Sequence, residues 1–307
     1  MSTKIRFITD TASDLLDEQV KEYGIDMLHI PIAVDGKGYY ERIDFTIHEF
    51  YKILNSAAEI PTTSQVLPIT YADAYKRAYN DGCTDVICVT ITSQGSNMFN
   101  NAVLAVDMFF EENPDAKGKI NFYIVDSGTY TYCYGYAIVK ACQMAREGKT
   151  VGEIIGFLNF HFDHLEVYFS VFSLEHAKKS GRINCAAAFV GEMLGLRPII
   201  QIIDGKMAII EKVRGDKAVP AHMAKVFEEK TTDKSYPYLI LLGEDAQPGY
   251  ELARLIEKNT GKKAYGCFNA GAAISINAGP RLVGLMIHGQ KRSGTRKFYS
   301  NTVNSLP

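Results

Sequence analysis

Val86–Ser96 reads VICVTITSQGS, and its first six residues decide the architecture. A near-continuous apolar run rich in β-branched side chains, followed at once by hydroxyls and a glycine, is the pattern of a central parallel strand buried on both faces. Ile120–Val125 (INFYIV) repeats it, and Lys4–Thr9 (KIRFIT) is a shorter version ending at Asp10. Helical stretches fill the gaps: one closed by Gly24, one over Ile47–Leu54 capped by Thr46, and one opening at Thr70 with Asp73 three residues on and stopping at Gly82. Two more run over about Met98–Glu111 and Tyr130–Glu147, the second stopped by Gly148. Strand alternating with helix predicts a doubly wound, mostly parallel sheet. Met27–Val34 reads as one strand, and the Asp35-Gly36 turn signal makes a β-hairpin arm near 28–42. Pro61–Pro68 (PTTSQVLP) reads as a loop.

The second half has a different grammar. An amphipathic helix near Val151–His164 leads into Val167–Ser173 (VYFSVFS) and then a polar KKSGRIN segment, Lys178–Asn184. Pro198–Val213 reads as a hairpin around Asp204-Gly205. Helices near Lys217–Glu229 and Tyr250–Lys258 flank a strand at Tyr238–Leu242, and two last extended runs flank Gly279-Pro280. The expectation is an α/β protein of two domains: residues 1–164 with the parallel sheet, and 165–307 as an α+β domain with a mixed sheet.

Composition narrows the function. With 33 basic and 35 acidic residues the formal net charge is −2, so no basic excess exists to neutralise phosphates, which argues against nucleic acid. The start, MSTKIRFITD, lacks the apolar core of a signal peptide, and no apolar run approaches the roughly 20 residues that span a bilayer. Six cysteines without a CxxC pair read as reduced core residues. Together these features predict a cytoplasmic protein that is not membrane-integral.

In an open parallel sheet, ligands bind beyond the carboxyl ends of the strands. Three such ends are rich in hydroxyls: Asp10–Ser13, Thr92–Ser96 and Asp126–Thr129. The second is the sharpest, because Ser93, Gly95 and Ser96 stand directly before a helix whose positive end suits an anion. Ser96 could equally be a plain helix cap. No nucleotide-binding glycine motif, phosphate loop or GxSxG elbow occurs, and no histidine can be assigned as a base to Ser93 or Ser96. His161, Asp163 and His164 have metal-ligand spacing but read as a solvated helix face. Lys178–Arg182 (KKSGR) reads either as an exposed charged loop or as an arginine aimed at an anion.

Taken in order, these segments resemble the DegV family, the fatty-acid-binding proteins that serve bacterial fatty acid kinase. ITDTASDL (8–15) resembles its TDS-x-x-DL, PTTSQVLP its TSQPS, and ITSQGSNMFNNA (91–102) its SSxLSGTYxSA. IVDSGT (124–129) is similar to V-D-S, KKSGRIN to xGGRI, and LRPIIQIIDGKMAIIEKVRG (196–215) to KPIL-x-x-x-DG-x-x-x-x-x-K-x-R. The resemblance runs from Ile5 to about Gly289.

What it implies is a tunnel between the two domains holding the chain of a long-chain fatty acid. Thr63 and Ser64 of the first loop, with Ser96 and Ser93 of the second, fall at carboxylate-binding positions. Arg182 falls beside the ligand and the partner-facing surface, and Arg214 falls at a position that helps dock the fatty acid kinase catalytic subunit. No cofactor is implied beyond the lipid, and the chain would do no chemistry itself. The sequence departs from the pattern at two places: Asn277 stands for a histidine and Arg281 for a glycine, while Asn97-Met98-Phe99 replaces Gly-Thr-Tyr. Asn277 can still hydrogen-bond a carboxylate but carries no charge. Two alternatives stay open: a divergent binder of lipid or another amphipathic carboxylate with no kinase role, and a serine-dependent acyl hydrolase.

Overall fold

Along the chain of the computed structural model, which describes residues 3–187, 189, 195–292 and 296–302, the first half runs β1 (Ile5–Asp10), α1 (Asp17–Tyr23), β2 (Asp26–Leu28), β3 (Pro31–Val34), β4 (Lys37–Tyr40), α2 (Ile47–Ser56), β5 (Thr62–Thr63) and α3 (Pro68–Asn80). It continues with β6 (Asp85–Thr90), α4 (Met98–Glu112), β7 (Asn121–Asp126), α5 (Tyr132–Arg146) and α6 (Val151–His164). The second half runs β8 (Leu165–Val171), α7 (Glu175–Ser180), α8 (Asn184–Ala187), β9 (Leu196–Ile203), β10 (Lys206–Arg214), α9 (Val219–Lys230), β11 (Leu239–Leu242), α10 (Gln247–Thr260), β12 (Gly266–Asn269), α11 (Ala272–Ala278) and β13 (Leu282–His288). β14 (Phe298–Ser300) ends the described chain.

The first sheet has the order β14-β7-β6-β1-β2, with β7, β6, β1 and β2 parallel. Every residue of β6 is buried, as its two-sided apolar run requires. The second sheet, β10-β9-β8-β13-β11-β12, is antiparallel except for the β11–β12 pair. Both faces of its middle are covered. Side chains alternate across a strand, so Val167 and Phe169 of β8 join the main core, while Tyr168 turns to a second core with Val283, Met223 and Leu252. The hairpin arm forms with β3 against β4; Asp35 and Gly36 both take left-handed φ, 46° and 79°, as a tight I′ turn demands. A capping box between Thr46 and Glu49 starts α2.

Several expectations need correction. Met27–Val34 is two strands in different sheets, because the chain leaves the first sheet before Pro31, which cannot donate to a ladder and so starts a strand. The loop 61–68 contains β5, which pairs with β3 and turns the arm into a three-stranded sheet. α3 opens at Pro68, not Thr70; proline at the first helical turn needs no cap of its own. The first of the two extended runs at Gly279-Pro280 is the short helix α11, since an apolar stretch of seven residues fits strand and helix alike. The boundary near 165 coincides with the start of β8, but residues 298–300 return to the first domain and pair antiparallel with β7. Among the described residues no helix is long and apolar enough to cross a membrane. All six cysteines are free, four of them buried.

Candidate functional site

The site grows from the carboxyl ends of β1, β6 and β7. Asp10 ends β1 fully buried; its oxygens accept the N–H groups of Ala12 and Ile91, each at 3.1 Å, and the Tyr134 hydroxyl at 2.6 Å. Asp126 ends β7, and its Oδ1 accepts the N–H groups of Ser93 and Gly128, each at 3.0 Å. Two acids therefore hold the loop after β6 from either side. The first and third hydroxyl-rich ends brace the second.

That loop delivers Gly95, Ser96 and Asn97 to the start of α4. The cap position is Asn97, which makes no side-chain capping bond, and the Ser96 N–H donates to the Thr92 carbonyl at 3.2 Å. The Ser96 hydroxyl has no hydrogen-bond partner among the described residues. Ser96 is thus not the helix cap. The loop at 61–68 is pinned at both ends: the Ser64 N–H donates to the Pro31 carbonyl at 2.9 Å, and Asn101 Nδ2 donates to the Val66 carbonyl at 2.8 Å.

Between these loops and the facing side of the second sheet lies a cavity of about 330 Å³, at the small end of the usual range for ligand sites. Thr63, Ser64 and Gln65 line it from one loop, Ser96 and Asn97 from the other, and Arg182 and Asn277 from the second domain. Most of the remaining wall is apolar, with Val167, Phe169, Ile202, Leu241 and Leu282 supplied by the strands of the second sheet. Polar donors at one set of loops and a greasy wall opposite make an amphipathic enclosure.

Five of the seven site residues expected from sequence line this cavity: Thr63, Ser64, Ser96, Arg182 and Asn277. Ser93 and Arg214 do not. Ser93 is held by its backbone N–H on Asp126, away from the lining; Arg214 sits exposed at the far end of β10, on the sheet edge. Arg182 is exposed and curls onto its own turn, donating from Nη1 to the Ser180 carbonyl at 2.8 Å. Asn277 Nδ2 donates to the Ala273 carbonyl at 2.7 Å, so part of its donor capacity is spent inside α11. Arg281 pairs with Asp216 at 3.2 Å.

Sequence reasoning missed Tyr130 and Thr131, which line the cavity between β7 and α5. Nothing in the local pattern marks them, since both look like the opening of a helix. Thr131 has φ 63° and ψ −163°, a conformation nearly reserved for glycine.

α11 is held in place by acids from the first domain. Asp14 Oδ1 accepts the Gly271 N–H and Glu41 Oε1 accepts the Ala273 N–H, each at 3.0 Å. Glu41 Oε2 takes the Thr11 hydroxyl at 2.7 Å. Burial, and secondarily the Glu41 charge, holds the Asp14 carboxyl well above the ordinary carboxylate range; burial also raises Glu41, and lifts Asp10 to about 6.

The histidine reading also changes. His161 is buried, not solvated; its ring nitrogens lie 2.7 Å from the Tyr236 hydroxyl and 3.3 Å from the Cys133 carbonyl, and burial pushes its pKa down to about 3. No metal-holding group of three acids, histidines or cysteines occurs among the described residues.

An amphipathic cavity between two sheets, with hydroxyl loops at the carboxyl ends of the parallel one, has the shape and polarity of a small-molecule site. The chain belongs to the DegV family: the model described as "Uncharacterised protein, DegV family" matches residues 4–290. A DegV domain-containing protein of Clostridium perfringens is 28% identical over 285 residues, covering 92% of this chain and 98% of the relative. Among solved structures, a fatty acid binding DegV family protein from Streptococcus agalactiae superposes with a TM-score of 0.83 at 25% identity, covering 94% of this chain and all of the other. A stearic acid-binding protein from Eubacterium ventriosum shares the fold, with a TM-score of 0.81, 24% identity, and coverage of 92% and 97%.

Proposed function

We propose that this protein is a cytoplasmic fatty-acid carrier that holds one long-chain fatty acid in the interdomain cavity and presents its carboxylate to a separate fatty acid kinase catalytic subunit. The observation that carries the binding half is that Thr63 and Ser96, on separate loops, line one cavity whose opposite wall is apolar. The physics agrees. Each buried methylene contributes about 0.8 kcal/mol, so a dozen give on the order of 10 kcal/mol before the costs of association. A carboxylate cannot be buried bare without losing more than that. Hydroxyls from two loops, the uncapped amides at the start of α4 and the nearby Arg182 are an inexpensive way to hold it.

A serine nucleophile would need a base within reach, and no histidine is among the described residues lining the cavity. This favours a carrier over an acyl hydrolase. Lipid extraction and native mass spectrometry of the purified protein test the binding half: a co-purifying fatty acid is expected, and an empty protein from lipid-rich cells sinks it.

The kinase half rests on the family resemblance of the loops. Asn277, already engaged with Ala273, motivates the second reading, a lipid binder with no kinase partner. Mixing the loaded protein with a fatty acid kinase catalytic subunit and ATP separates the two: acyl phosphate supports presentation, and bound lipid without acyl phosphate selects the second reading.

A further inference from the structure

Tyr130 stands at the junction of the cavity's polar parts. It lines the enclosure together with Ser96, Asn97 and Arg182. Its hydroxyl lies directly against Gly95: a Cβ built on that glycine would sit 2.5 Å from Tyr130 Oη and 3.2 Å from two ring carbons. A side chain at this position would displace the Tyr130 hydroxyl, so glycine lets the loop and the hydroxyl lie side by side. The Oη makes no hydrogen bond to any described residue, although the ring is packed against the main core. Tyr130 is half-buried, so its hydroxyl is open to the cavity and free to donate to an arriving acceptor.

We propose that Tyr130 is a headgroup-binding residue that makes the cavity select a free carboxylate over its neutral ester. This assignment rests on the carrier reading above and deepens it. The geometry supplies a donor on the Ser96 side of the cavity, next to the loop that carries the other hydroxyl. Burial, with the Asp126 charge behind it, raises the phenol above its ordinary pKa, so the group keeps its proton and can only meet an anion by donating. The strained backbone at Thr131 fixes the direction in which Tyr130 leaves the strand end. A hydrogen bond to a charged acceptor is stronger than one to a neutral carbonyl, and this difference is the source of the selectivity.

The test compares binding of palmitic acid and methyl palmitate to delipidated wild-type protein and to Tyr130→Phe, which keeps the ring and removes only the hydroxyl. Palmitate affinity is expected to fall by about 10-fold or more, and methyl palmitate by no more than about 3-fold. Equal losses for both ligands would mean a packing role and overturn the assignment, as would an unchanged palmitate affinity. A wild-type protein that binds neither ligand overturns the carrier reading itself. Wild-type binding with an unaltered acid-to-ester ratio in Tyr130→Phe overturns the Tyr130 role alone.

Discussion

Asp14 Oδ1 accepts the Gly271 backbone N–H at 3.0 Å, across 257 residues of chain and from one domain to the other. Glu41 makes the matching bond to Ala273 two residues on. Both carboxylates crowd Gly271, where any Cβ would collide with Asp14 Oδ1 and come within 2.8 Å of Glu41 Oε1. Asp14 Oδ2 is buried without a hydrogen-bond partner. Through these bonds the first domain sets the position of α11, whose Ala273, Ile274, Asn277 and Ala278 form part of the cavity wall.

This arrangement makes stability depend on pH in a sense opposite to ordinary acid denaturation. Asp10 is raised to about 6, Asp14 well above its usual value and Glu41 above its own, so the native state binds more protons than the unfolded chain. The cluster favours folding most below about pH 4 and loses that contribution as pH rises through 6 and beyond. Glu41→Gln keeps an acceptor for the Ala273 N–H and removes one charge. Its Nε2 replaces the oxygen that takes the Thr11 hydroxyl, a loss at every pH, but relative to wild type the variant should become more stable as pH rises from 5 to 8. Urea unfolding of both proteins at the two pH values checks this; His161, which titrates with the opposite sign, is common to both and cancels. A gap independent of pH refutes the linkage.

Thr63→Ala and Ser96→Ala should each weaken fatty acid binding by roughly 10- to 150-fold, the range for losing one hydrogen bond to a charged group. Neither hydroxyl has a partner among the described residues, so the stability of the lipid-free protein should change by less than about 0.5 kcal/mol. Ser93→Ala, outside the cavity, should bind as wild type does. Displacement of a fluorescent fatty acid and ligand-dependent Tm shifts measure both effects.

Val167→Phe places a ring where β8 faces the cavity. In a filled core such overpacking costs about 1–3 kcal/mol. Here the space is present, so the cost should be under about 1 kcal/mol while long-chain fatty acid no longer co-purifies. Mass spectrometry and denaturant unfolding together decide it; large destabilisation would mean the wall is close-packed.

Thr131→Gly relieves a backbone conformation at φ 63° and ψ −163° that costs a β-branched residue about 1–3 kcal/mol. Part of this is offset by the greater freedom of glycine in the unfolded chain, about 0.5–1 kcal/mol. A net rise in stability, with weaker fatty acid binding from a less fixed Tyr130, is the expected pair of outcomes. Thermal unfolding without ligand and a binding titration report them separately.

Periodicity made the first sheet legible, because a strand buried on both faces needs a near-continuous apolar run, and VICVTI is apolar at every position but Thr90. The hairpins at Asp35-Gly36 and Asp204-Gly205 were equally plain, since only a few residues tolerate left-handed φ. The Thr92–Ser96 loop was legible because ligands collect at the carboxyl ends of parallel strands, whereas the Thr63 loop entered only through the family resemblance. Short apolar stretches misled: seven residues at Ala272–Ala278 carry no period long enough to separate strand from helix.

The amino-acid order by itself thus determined the parallel first sheet and set the Ser96 loop at the carboxyl end of one of its strands. Only the tertiary structure decided that Ser93 and Arg214 stay outside the cavity and that Tyr130 enters it. It also decided that β14 crosses back to the first sheet and that Asp14 and Glu41 grip α11. The physical reason is range. Burial pattern and turn chemistry act between near neighbours and are written locally. A cavity wall is a set of residues brought together by sheet register and domain closure, and no local pattern encodes which of them will meet.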